Sequence, residues 1–163
     1  MALTQPKIKY VAIRDEIISL LRTNAATLNT NLSKTFTSTT KQISKGMPLN
    51  QNSYASIYPY IFVDFDRKSE DYLTLGKRKL VSVFYNIYAI VREISNGGYD
   101  DNDEKMYLID NIEGLIRDNV TILSTNQNLL YVGIPDTQFR IDNVEETYVS
   151  GGIITLEVHV EVI

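Results

Sequence analysis

A chain of 163 residues is long enough to bury one sizeable core and short for two, so a single domain spanning 1–163 is expected. Its 44% hydrophobic and 22% charged residues are those of a globular domain and exclude a disordered or fibrous chain. With no cysteine there is no disulfide framework, thiolate metal site or cysteine nucleophile, and a single histidine leaves no multi-histidine metal cage and no second imidazole base.

No run approaches the roughly 18 consecutive apolar residues of a membrane span. The opening Met1-Ala2-Leu3-Thr4-Gln5-Pro6 lacks the basic and apolar regions of a signal peptide, so a cytoplasm-like compartment is expected. The formal net charge of −4 divides unevenly at Ser56: residues 1–56 carry seven Lys or Arg against two acids, a balance of +5, and residues 57–163 carry nine against eighteen, a balance of −9. The cations of the first part (Lys7, Lys9, Arg14, Arg22, Lys34, Lys41, Lys45) are scattered, and only Tyr10, Phe36 and Tyr54 accompany them as aromatics. That spacing argues against direct reading of nucleic acid and for charge complementarity between neighbouring copies.

Pro6 suits a first helical turn, and Tyr10, Ile13, Ile17, Leu20 and Leu21 recur at helical spacing, which predicts a helix over 6–23. Residues 24–56 are polar, with isolated Leu28, Leu32, Phe36 and Ile43. Ordered connections of this length without structure are uncommon, so a short strand around 34–40 within a loop that orders against a partner is expected. The aromatic and β-branched run 57–65 predicts a strand, with Pro59 confining it to a sheet edge or marking its start. A charged connection follows over 66–79. Residues 80–94 match both periods, but their Val, Ile, Tyr and Phe content decides for a strand whose length implies a bulge or bend.

Asn96-Gly97-Gly98 ends that strand, and Asp101 with Glu104 three residues on reads as a helix cap and its reciprocal partner. The helix runs to about 119 with an apolar stripe of Leu108, Ile109, Ile112, Leu115 and Ile116 facing the sheet, and Gly114 inside it suggests close approach of another backbone. A polar link over 124–128 and a short strand at 129–132 precede Pro135. Strands over 139–149 and 153–162 flank Ser150-Gly151-Gly152, read as a hairpin turn. In the last strand Ile154, Leu156, Val158, Val160 and Val162 share one face and Thr155, Glu157, His159 and Glu161 the other, so one face is core and the other is wet or meets a partner. The elements add up to an α+β fold: a mostly antiparallel twisted sheet with a long C-terminal hairpin and two main helices packed on one face.

The run Asp100-Asp101-Asn102-Asp103-Glu104 resembles a calcium loop only at its start: the sixth position is Lys105 where glycine is required, and the twelfth is Asn111 where a bidentate Glu belongs. It reads as a capping, solvated turn. His159, flanked at strand spacing by Glu157 and Glu161, has the chemistry of a base or pH switch, but no nucleophile is indicated beside it, and a surface or interface role is the simpler reading. Gly97-Gly98 and Gly151-Gly152 are not phosphate loops, since neither is followed by Lys-Ser/Thr in a strand-to-helix setting. The tight basic cluster Lys77-Arg78-Lys79 suits phosphate or an acidic neighbour, and equally a charged strand entry that keeps an edge soluble. Eleven tyrosines suit half-buried surfaces that another subunit covers, as well as core and rim. No catalytic, metal or cofactor-binding residue is assigned; Lys77, Arg78, Lys79, Glu157, His159 and Glu161 are the candidate subunit or partner interface.

The order of elements, namely an N-terminal helix, a polar stretch, a strand beginning at Tyr58-Pro59-Tyr60-Ile61, a long strand at 80–94, a helix at 103–118 and a hairpin built on Tyr148-Val149-Ser150-Gly151-Gly152-Ile153, resembles the tail terminator or tail-completion proteins of long-tailed bacteriophages. The resemblance spans nearly the whole chain and is one of pattern and size, without a residue motif, so no functional residue is carried over. It implies a non-enzymatic virion protein without cofactor, located at the head–tail junction after assembly in the host cytoplasm. Such a protein forms a homo-oligomeric, hexameric ring that halts growth of the tail tube and docks the head connector or stopper protein. DNA passes through the lumen unread, and no membrane is involved. The alternatives are another neck or head–tail joining protein, and a small enzyme or ligand-binding domain using the face of Glu157, His159 and Glu161.

Overall fold

The computed structural model of the chain describes residues 8–46, 58–72, 79–94, 102–144 and 147–162. The first helix, α1 (Tyr10–Thr23), starts later than predicted, because Lys9 already has non-helical dihedrals and takes the cap position. Its apolar stripe is the expected one, with Ile13, Ile17, Ile18 and Leu21 buried.

The polar stretch does not contain the strand expected around 34–40. It forms two single turns, α2 (Ala25–Leu28) and α3 (Thr39–Gln42), and a two-residue strand, β1 (Ile43–Ser44). The isolated apolar residues Leu28, Leu32, Phe36 and Ile43 are all buried and anchor the segment at intervals too wide for a strand period. Between the anchors, side-chain amides and carboxylates hold the backbone, which is how Ser-, Thr- and Asn-rich chain finds partners outside helix and sheet. Asn29 Oδ1 accepts from Phe36 N at 2.7 Å, and Gln42 Oε1 accepts from the N–H groups of Thr37 and Ser38, both at 2.7 Å. Gln42 Nε2 donates to the Pro59 carbonyl at 3.1 Å. Up to Gly46 the excursion is therefore ordered against its own chain; residues 47–56 of it lie outside the described residues.

Strand β2 (Tyr60–Tyr72) begins just after Pro59, as expected, but continues through the predicted charged connection. Its charged half is exposed and lines the free edge of the sheet, where charge discourages pairing with other strands. A register shift between Phe65 and Arg67 marks a bulge. Strand β3 (Lys79–Ile94) is as long as expected and carries the expected irregularity, between Ile90 and Arg92.

Helix α4 (Asn102–Asp118) buries Leu108, Ile109, Ile112, Leu115 and Ile116. The reciprocal cap read from sequence would pair Glu104 with Asp101, and its Asp101 half lies outside the described residues. Glu104 is buried and its Oε1 accepts from Ser33 N at 2.6 Å and Ser33 Oγ at 2.5 Å, tying the polar excursion to the helix. Asn111 Nδ2 adds bonds to the carbonyls of Leu28 (3.1 Å) and Thr30 (2.8 Å). Gly114 answers to no close backbone, since a Cβ there would have nothing within 4 Å.

The predicted polar link is instead a second helix, α5 (Val120–Gln127), which buries Leu123 and ends on Asn128 in the left-handed conformation (φ 54°). Strand β4 (Tyr131–Val144) then replaces the two separate strands expected at 129–132 and from 139. It passes through Pro135 because a bulge between Gly133 and Asp136 interrupts the ladder where the proline lacks a donor. Strand β5 (Thr147–Val162) overturns the predicted turn: Ser150-Gly151-Gly152 lies inside it, and the hairpin closes with Val144 paired to Thr147.

The strand order is β1-β2-β3-β5-β4, antiparallel except for the short β1–β2 pair. Val81, Val83, Tyr85, Ile87 and Ala89 of β3 and Ile154, Leu156 and Val158 of β5 are buried in one cluster with the apolar stripes of α1 and α4. The main helices thus share one face of the sheet, and the fold class is the expected α+β. In this core Tyr85 donates its hydroxyl to the Tyr10 carbonyl at 2.8 Å, and burial pushes the phenol above its ordinary pKa.

Candidate functional site: the open face of the sheet

Because strand side chains alternate, the residues of β3 and β5 that do not enter the core must stand on the opposite face. Register places Ser82 beside His159 and Tyr131, Phe84 beside Arg67, Glu157 and Gly133, and Asn86 beside Asp64, Thr155 and Asp136. Tyr88 stands beside Phe62, Ile153 and Gln138 in the next row. None of the helices' buried stripes belongs to the small second cluster on this face, which consists of Tyr58, Tyr60 and Phe62 with Tyr88 and Ile90.

The face carries aromatic groups in close order. The rings of Phe62 and Tyr88 stack at 4.3 Å with 6° between their planes, and the Arg67 guanidinium lies 4.2 Å above the centre of Phe84. Tyr131 packs its ring 4.6 Å from His159, which in turn hydrogen-bonds Glu157 Oε1 through Nε2 at 2.8 Å. Glu157 and His159 are about three-quarters buried, with side-chain exposures of 21% and 24%. Ser82 is directly across from His159 in register, but no hydrogen bond joins the two among the described residues.

Of the two candidate clusters, Lys79 is the described member of the basic one, and it does not share a face with the acidic one. Glu157, His159 and Glu161 share the open face as expected, whereas Lys79 pairs in register with Val162, whose side chain packs toward the core, so Lys79 stands on the helix side. There its Nζ lies 3.3 Å from Glu70, which also bonds Lys68 at 2.6 Å. The hydrogen bond from Lys68, then that from Lys79, holds the Glu70 carboxyl below the ordinary carboxylate range, and the Glu70 bond raises Lys68. Lys77 and Arg78 lie outside the described residues. Sequence reading missed Phe62, Phe84, Tyr88, Arg67 and Tyr131 as members of this face; the only available signal was their alternation with buried positions.

No protein-family model matches the chain, and no curated protein matches it. Among the described residues no group of three or more His, Asp or Glu is placed to hold a metal ion, and no helix is long and apolar enough to cross a membrane. The face thus combines aromatic planes with a hydrogen-bonded Glu–His pair on an antiparallel sheet.

Proposed function

We propose that the protein is a structural virion component, a ring-forming tail terminator that stops tail-tube growth and offers the docking surface for the head connector. The observation that carries this reading is the one-sided architecture. Both main helices cover one face of the sheet; the other carries a second aromatic cluster, in which Tyr58, Tyr60 and Phe62 are buried, and beside it the partly exposed Phe84, Tyr88 and Tyr131, the kind of rings that assembly subunits cover with one another. Element order along the chain, which resembles that of tail terminators, supports the same reading. The protein acts by shape and interface complementarity rather than by catalysis, with the tube protein and the head connector as partners and DNA passing unread.

The test is deletion of the gene from its parent genome, with electron microscopy of the particles. Overlong tubes without heads are expected. Tails of normal length that lack heads would transfer the protein to a head–tail joining role, and a parent that makes no tailed particles would end the reading.

A second reading, a small enzyme or ligand-binding domain, is favoured by one observation: the 2.8 Å Glu157–His159 bond beside Ser82 contains the residue types of an oriented base and a nucleophile. Under this reading His159→Ala and Ser82→Ala each abolish a hydrolytic activity measurable on an ester panel; under the structural reading the wild type shows none above buffer.

A further inference from the structure

Among the described side chains of the open face, the carboxylates Asp64, Asp71, Asp136, Glu157 and Glu161 outnumber the cation Arg67, with Glu157 hydrogen-bonded to His159. Partly exposed rings on a sheet, here Phe84 and Tyr131, are what single-stranded nucleic acid uses, but a carboxylate-rich face repels phosphates and suits a different partner. A cationic protein surface fits both features, because Lys and Arg pair with carboxylates and also lie over aromatic planes, as Arg67 already does on Phe84.

This chain carries such a surface itself. Between Glu16 and Asp64 there is no acidic residue, and α3 and β1 bring exposed Lys41 and Lys45 to the sheet edge beyond β2, with exposed Lys34 on the preceding segment. The corner and the open face are different parts of one molecule. A contact between them is therefore heterologous: each copy offers its corner to one neighbour and its face to the next, which builds a ring or filament rather than a closed dimer.

We infer that the basic corner at Lys41 and Lys45 of one copy docks on the acidic aromatic face around Glu157 and Glu161 of the next. This rests on the self-assembly reading above and names the surfaces that would carry it.

The experiment uses two doubly substituted full-length chains, Glu157→Lys/Glu161→Lys and Lys41→Glu/Lys45→Glu, with circular dichroism confirming that each folds. Sedimentation velocity is measured for each alone, for their equimolar mixture and for the wild type, at about 0.05 M and about 0.5 M salt to bracket strong and weak screening. The wild type is expected to associate beyond a dimer, more weakly at high salt. Each variant alone, facing like charges at every contact, is expected to lose about tenfold or more in association constant. The mixture restores assembly, since alternating copies pair opposite charges at every contact. Variants that associate as the wild type does, or that stay apart when mixed, overturn the inference while leaving ring assembly through another surface intact. A wild type that stays monomeric at all concentrations overturns this contact, and the deletion assay, which does not use self-association, then decides the terminator reading separately.

Discussion

Ile109 of α4 rests directly on Gly152 of β5: a Cβ built at position 152 would lie 2.9 Å from Ile109 Cδ1 and 2.7 Å from the Gln138 carbonyl oxygen. The glycine that reads as a turn residue is thus a seat for the helix. At its neighbour Gly151 an added Cβ would collide with the backbone carbonyl of Ala89, beside the bulge in β3. Replacing Gly152 with Val overfills this contact and is expected to cost about 1–3 kcal/mol. Urea denaturation checks it through a lowered midpoint at unchanged slope.

Glu104 clasps the polar excursion through two bonds to Ser33 while buried. Glu104→Ala leaves the Ser33 amide without its acceptor and is expected to lose about 1–3 kcal/mol, with Glu104→Gln losing less because an acceptor oxygen remains. Amide hydrogen exchange at Ser33 should accelerate in the alanine variant more than exchange in β3 does.

Gly114 gains nothing from its missing side chain, since a Cβ there meets open space inside a helix. Gly114→Ala is expected to stabilise the protein by about 0.5–1 kcal/mol, through helix propensity and a less flexible unfolded chain. A raised thermal midpoint is the readout.

At Gly133 the neighbour that an added Cβ would strike is the ring of Tyr131, a half-exposed side chain free to swing outward. Gly133→Ala should therefore change stability by no more than about 1 kcal/mol while pulling Tyr131 off His159. The His159 ring-proton resonances, shifted by the tyrosine ring 4.6 Å away, are expected to move toward those of a Tyr131→Ala variant.

The Glu70 pairing sets its own pH window. Because the folded carboxyl titrates below its unfolded value, its contribution is present above the unfolded value and is lost as pH falls through the lowered one. For Lys68, raised by the same bond, the contribution is present below the unfolded lysine value and is lost as pH rises through the raised one. Carboxyl titration by NMR checks this: Lys68→Ala should move the Glu70 midpoint up toward the ordinary value of roughly 4.3. High salt should shrink the difference, since the pair is solvent-exposed.

Helix α1, the long strand β3 and the stripe of α4 were legible because each is a periodic run whose burial follows from its own spacing. The placement of Glu157 and His159 on a face apart from Ile154, Leu156 and Val158 was legible for the same reason, as strand alternation is local. Helix α5 was not, because Val120–Gln127 is rich in Thr, Ser and Asn, and its helical state rests on burying Leu123 between neighbours.

The sequence by itself determined the α+β class and which side of each periodic element is apolar, since both follow from periods of 3.6 and 2. Only the tertiary structure decided what stands next to what: that Gly151 and Gly152 are inside a strand, that Glu104 reaches Ser33, and that Lys79 and His159 lie on opposite faces. Glycine serves a turn and a close backbone approach equally well, and a carboxylate caps a helix or clasps a distant loop with the same bond. Strand register, fixed by pairing between segments far apart in the chain, chooses among them and brings Phe62, Phe84, Tyr88 and Tyr131 onto one face with His159.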